Sequence, residues 1–325
     1  MLSITPKSKT LNILDKIIFS CLILYSLTFL LDIKINFLTT AFVAVIYQFF
    51  NGDIISYGTR LTGFNNSYML LCAVNLLILP IIFVLAVHKS NMSNKIRLFY
   101  LLTILVNIPS VVFENTRIVY VGLGIIFPLI ILFSIKNKLK AICFILLLGI
   151  YSFTCFQLSP AATQRFSNIS TTTQSDFSNY QRILMWQSSL NMFIEHPLFG
   201  VGVGNWHEQY TTNYQPPIKT GDFYHPHNVP LDMLSESGVV GGGSYIILFI
   251  YLYYISIKNY LRKKDIISLA YIASLFAYSI NCLTDCMFCG YNIKMPTTMF
   301  WLFTGFYLIL NKYVIISYNN KDLNK

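Results

Sequence analysis

The chain has 325 residues, 55% hydrophobic and 11% charged, with a net charge of +10 and a mean hydropathy of +0.58. Soluble domains carry about 25% charged residues, so the composition excludes a water-soluble globular protein and points to an integral membrane protein. The positive excess sits mostly in short connectors such as KNKLK (136–140) and KNYLRKK (258–264), where membrane topology places it, so no nucleic-acid partner is expected.

A helix crosses a bilayer with roughly 20 apolar residues. Runs of about that kind predict spans over 13–31, 37–50, 68–87, 98–113, 118–135, 141–158, 239–257, 266–283 and 296–310. Backbone groups in lipid must pair internally and no alternating barrel pattern occurs, so the expected fold is all-α, a polytopic helical bundle of about nine spans. The first run has no small-x-small cleavage site and is followed by further spans, so it does not read as a cleaved leader. The chain divides into a first membrane bundle (1–158), one large loop (159–238) and a second bundle (239–325).

Basic connectors at 88–97, 136–140 and 258–264, with Lys312 and Lys321, are expected on the cytoplasmic side. That turns 51–67, 114–117, 159–238 and 284–295 outward. Nine spans then leave Lys7 and Lys9 outside, against the rule. Either the first two segments count differently or upstream spans are missing from this chain. Of seven cysteines, Cys21, Cys72, Cys143 and Cys155 lie in or beside apolar runs, and Cys282, Cys286 and Cys289 lack neighbouring histidines for a zinc site. A Cys286–Cys289 disulfide suits an outward loop.

The large loop opens on a polar linker, SNISTTTQSD, expected to be mobile. Residues 180–196 then repeat apolar positions at three- and four-residue spacing, as in a helix lying in the membrane interface. HPLFGVGVGNW follows, with Pro197 as a breaker and glycines allowing a close-packed return. The segment 229–237 leads into the next span, and Gly238 with Gly241–Gly243 permits a bend or close packing.

Ionisable groups at a membrane boundary are costly, which makes those on the outward side functional candidates. Arg117 stands at the mouth of a span, where it is either a snorkelling anchor, a partner for Glu114 or an anion ligand. Arg182 is either a headgroup anchor or the same kind of ligand. Forked guanidinium donors suit a diphosphate. His225 and His227 flank Pro226, which favours extended chain, so both rings are expected to face one site; a structural pair is the alternative. Imidazole can take a proton from an attacking hydroxyl. HEQYT at 207–211 lacks the second histidine of a zinc-protease motif.

These residues resemble the O-antigen ligase and polymerase superfamily of bacterial inner-membrane glycosyltransferases. The similar stretches run in order: GFNNS (63–67), NTRIVYVG, RILMWQSSLNMFIEHPLFGVGVGN, HPHNVPLDMLSESGVVGG and LTD (283–285). The resemblance implies a GT-C-like helical glycosyltransferase in the inner membrane, its site in a large periplasmic loop, with no metal and no cofactor. It implies His227 as the base and Arg117 and Arg182 as diphosphate ligands, with His225, Arg60, Asp285 and Asn228 as weaker carry-overs. Family members usually carry more spans at the N-terminus, which fits the orientation conflict.

The resulting expectation is an O-antigen ligase that moves an undecaprenyl-diphosphate-linked glycan onto a lipid A-core sugar hydroxyl. The nearest rival is a polymerase joining lipid-linked repeat units. A flippase or transporter is the rival of another class, disfavoured because the charges gather at one face and no repeat is visible.

Overall fold

The computed structural model describes residues 56–57, 60–61, 68–89, 92–167, 177–217, 221–285 and 294–322. Side chains are described between Met69 and Asn311 of those stretches, apart from Phe177, Lys294 and Met295. The predicted spans at 13–31 and 37–50, the GFNNS turn, the Arg60 side chain, Cys21, Cys286 and Cys289 lie outside the described residues.

Among the described residues the fold is helical. In chain order the helices are α1 Tyr68–Val87, α2 Asn94–Phe113, α3 Arg117–Ser134, α4 Lys138–Gln157, α5 Pro160–Ser167, α6 Phe177–Glu195, α7 Trp206–Thr212, α8 Val229–Lys263, α9 Ile266–Cys282 and α10 Lys294–Asp322. A hairpin of two-residue strands, β1 Ser56–Tyr57 and β2 Arg60–Leu61, is too short to form a layer. Among the described residues five helices, α1 to α4 and α8, are long and apolar enough to cross a membrane, and they occupy five of the seven expected spans that fall there. The shorter apolar α9 and the amino-terminal half of α10 occupy the segments expected at 266–283 and 296–310.

Helix starts follow local chemistry. Ser93, Asn137 and Asp265 cap α2, α4 and α9 by accepting the N–H of Ile96, Lys140 and Ser268. Each satisfies one of the amides that a helix start leaves unpaired. The bundle is built around α1, against which α2, α3 and α9 all pack. Its apolar stretch is 78% buried, whereas that of α4 is 17% buried, so α1 is central and α4 peripheral. The His88 ring meets the Ser134 hydroxyl at 3.3 Å, placing the ends of α1 and α3 together. The Glu114–Thr116 turn, α5, α6 and the 221–228 segment gather at the other end.

Helix α8 is broken at Gly238, where φ is +63° and ψ −159°. The break frees backbone groups that lipid could not satisfy. Residues 197–202 take them up: Val201 and Gly202 donate to the carbonyls of Ser235 and Glu236, and Val239 donates to Pro197. The backbones approach so closely that a Cβ on Gly200 would lie 2.3 Å from the Glu236 carbonyl carbon, and one on Gly238 2.4 Å from Leu198. The glycine-rich run and the bend expected at Gly238 are thus two halves of one clamp.

Candidate active site

A cavity of about 510 Å³ opens where α3, α5, α6 and the 221–228 segment meet. Arg117, Arg182, His227 and Asp285, picked out separately in the sequence, all line it. Arg165, which the sequence reading passed over, lines it too. Arg117 is the first residue of α3, and Ser178, Asn179 and Arg182 lie on the first turns of α6. Two helix amino-termini, the positive ends of their dipoles, therefore border the same space as the three arginines. The Arg117 Nε donates to the Arg165 carbonyl oxygen at 3.2 Å, which ties α3 to α5. The Arg182 guanidinium donates to the Ser178 hydroxyl at 3.3 Å, one turn back on its own helix.

The histidine segment is held from three directions. Trp186 on α6 donates its indole N–H to the Pro226 carbonyl at 2.9 Å. Asn228 caps α8 by accepting the Leu231 N–H, and its amide donates to the Leu283 carbonyl at the end of α9. His207 bonds the Phe223 carbonyl at 2.7 Å and stacks on Tyr224, a structural task for the histidine of HEQYT. Asn228 therefore shapes the site as a cap that ties α8 to α9.

His227 has φ +53°, a left-handed backbone that an ordinary side chain adopts at a cost of about 1–3 kcal/mol. This overturns the expectation of an extended His-Pro-His with both rings facing one site. The turn brings the His227 N–H onto the His225 Nδ1 at 3.3 Å, with the rings edge to face, 4.4 Å between centroids. His225 does not line the cavity. Its own Nδ1 is the acceptor, so its proton sits on Nε2. Burial, reinforced by the neighbouring His227 and Arg182, pushes its pKa down to about 4 even against the pull of Asp285. At neutral pH His225 is an uncharged brace.

The His227 Nδ1 lies 3.1 Å from the Asp285 Oδ1, and the two side chains are 16% and 6% exposed. An ionised carboxylate only accepts, so this contact places the imidazole proton on Nδ1 and leaves Nε2 as the basic nitrogen. Such a pair can orient a base and stabilise the imidazolium that forms when it takes a proton. Among the described residues no three His, Cys, Asp or Glu side chains gather closely enough to hold a metal ion.

Residues 102–246 match the family model described as O-antigen ligase. The match supports the O-antigen ligase and polymerase superfamily. No curated protein matches the chain. The matched stretch runs from within α2 to within α8 and contains Arg117, Arg165, Arg182, His225, His227 and Asn228. Asp285 lies outside it and reaches the site from the end of α9. Arg165 was missed because its helix is only eight residues long and polar. Ser159 followed by Pro160 is nevertheless a helix-start signal, and the Ser159 hydroxyl does accept the Ala162 N–H.

Proposed function

We propose that the chain is an O-antigen ligase, transferring an undecaprenyl-diphosphate-linked glycan to a sugar hydroxyl of the lipid A core. The observation that carries the reading is the meeting of three arginines and a His–Asp pair around one cavity. The Nε2 of His227 takes the proton of the acceptor hydroxyl as its oxygen attacks the anomeric carbon. The bond from that carbon to the diphosphate oxygen breaks, and the electron pair leaves with the diphosphate. Attack opposite the leaving group inverts the anomeric centre. Arg117, Arg165 and Arg182, with the amino-termini of α3 and α6, neutralise the charge that builds on the departing diphosphate.

The positions of the other basic residues support a periplasmic site in the inner membrane. Lys89, Lys95, Arg97, Lys136, Lys138, Lys140 and the cluster from Lys258 to Lys264 belong to the helix ends and connectors on the opposite side from the cavity. By the positive-inside rule that side is cytoplasmic. Substrates tethered to the outer leaflet then arrive at the level of Arg117.

His227→Ala should abolish transfer by the purified chain while leaving its amount in the membrane unchanged; full retained transfer would remove the base from the scheme. Lipopolysaccharide from a deletion strain separates ligase from polymerase. Bare core with polymer still lipid-linked is expected here, whereas core capped by a single repeat unit would make the chain a polymerase.

A further inference from the structure

The 159–238 loop carries a cleft of about 690 Å³ between α6, α7 and the 213–217 segment. Five side-chain amides line it, those of Gln187, Asn191, Gln209, Asn213 and Gln215, and no described lysine or arginine does. Without a fixed cation it does not suit a phosphate, and with Leu184, Pro216 and Pro217 as its only aliphatic lining it does not suit an acyl chain. Resting on the glycan-transfer reading above, we propose that this cleft binds saccharide, holding sugars of the donor glycan that lie remote from the diphosphate.

A sugar hydroxyl donates and accepts through one atom, and a side-chain amide offers both an N–H and a carbonyl, so a cluster of amides matches hydroxyls in either sense. Gln187, Asn191 and Gln215 make no side-chain hydrogen bond to other described residues and keep that capacity. The framework behind them is fixed. The Ser188 hydroxyl donates to the Tyr214 carbonyl at 2.7 Å, and the Tyr214 phenol donates to the Glu195 carboxylate at 2.6 Å, which ties α6 to the 213–217 segment at two points. The Asn213 amide donates to the Gln209 Oε1 at 2.8 Å. Tyr214, Pro216 and Pro217 add apolar ring faces for the C–H side of a pyranose. The volume falls within the range of small-molecule sites, about 300–1,000 Å³, and suits a di- or trisaccharide. On α6, Arg182, Ile183 and Trp186 line the charged cavity while Gln187, Asn191 and Glu195 line the cleft, so the two lie on different faces of one helix. Asn191 is about 14 Å along the axis from Arg182, a separation that the first sugar cannot bridge and a glycan several units long can.

The test uses the full chain in lipid nanodiscs and O-polysaccharide released by mild acid from the lipopolysaccharide of the strain that carries the gene, a probe without lipid or diphosphate. Saturation-transfer NMR and titration against empty discs report its binding. Wild type should bind it. Gln187→Ala combined with Asn191→Ala should weaken binding roughly tenfold, the worth of one or two neutral hydrogen bonds, and Asn191→Trp, which fills the cleft, should abolish it. Both variants should keep the wild-type melting temperature and the wild-type affinity for pyrophosphate. Binding no better than to empty discs, or equal binding by wild type and both variants, would overturn the cleft. So would an equal loss in Arg182→Ala, because the glycan would then lie in the charged cavity. Transfer from a lipid-linked donor by a chain that binds no free polysaccharide would overturn the cleft alone. Polysaccharide held through the cleft by a chain that transfers none of it would sink the transfer reading and leave the cleft standing.

Discussion

Asp285→Asn separates an oriented, charge-stabilised base from a lone histidine. In the proposed mechanism the imidazolium formed on His227 faces a carboxylate 3.1 Å away on a residue that is 4% exposed. At that distance, with an effective dielectric constant of about 20, the attraction is about 5 kcal/mol. Water reaching the partly exposed His227 ring can halve it. The amide keeps the shape and can still accept from Nδ1, but it lacks the charge and can also turn its NH₂ to the ring and favour the wrong tautomer. The expected loss is therefore between about 10² and 10⁴ in kcat, with little change in KM for the donor. Initial rates of glycan transfer by the purified chain, with donor and acceptor varied independently, give both constants. A variant within threefold of the wild-type kcat would refute the His–Asp pairing as part of the mechanism.

Arg165→Ala should lower kcat/KM by roughly 10- to 100-fold, the worth of one charged hydrogen bond, and Arg165→Lys should restore little of it because the forked donor geometry is lost; steady-state kinetics with a lipid-linked donor decide this. Gly238→Ala should lower the melting temperature in detergent by several degrees, because the methyl group would lie 2.4 Å from the Leu198 backbone at a φ of +63°. The same substitution at Gly124, where a Cβ meets nothing within 4 Å, should leave melting unchanged. His225 has a folded pKa lowered from 6.5 to about 4, so it contributes stability that is complete above pH 6.5 and is lost as pH falls toward 4. The loss is at most about 3 kcal/mol. His225→Gln should therefore melt with less acid dependence than wild type between pH 7 and pH 4.5.

The spans among the described residues were legible because apolar runs and basic connectors are long-range averages over many residues. The span predicted over 68–87 is α1 to the residue. The one predicted from 98 begins at Asn94, because the Ser93 cap and the helix-forming Lys95 and Arg97 extend the helix beyond its apolar part. Arg117, Arg182, His227 and Asp285 were legible as charges that the membrane makes costly, although their convergence was not. The His-Pro-His geometry was misjudged because Pro226 constrains its predecessor, while the left-handed turn falls on the residue after it. The partner of the HPLFGVGVGN run was invisible, since its contacts are backbone to backbone across some forty positions and leave no side-chain pattern.

That clamp joins the fold to the chemistry. The break at Gly238 releases the first two and a half turns of α8 from the direction of the span that follows, and those turns carry Asn228 and His227 at their start. Residues 197–202 bridge this segment to its continuation, through backbone bonds at positions where glycines 200 and 238 leave no room for a Cβ. The same segment continues from α6, which carries Arg182 and Trp186. Arg182 and the support for the histidine loop are therefore fastened to His227 through one backbone joint. A substitution at Gly200, far from any reacting atom, would shift Arg182 and His227 relative to one another. Because reaction rate depends on that relative placement at the level of about 1 Å, the glycines of this motif constrain the site without touching the substrate.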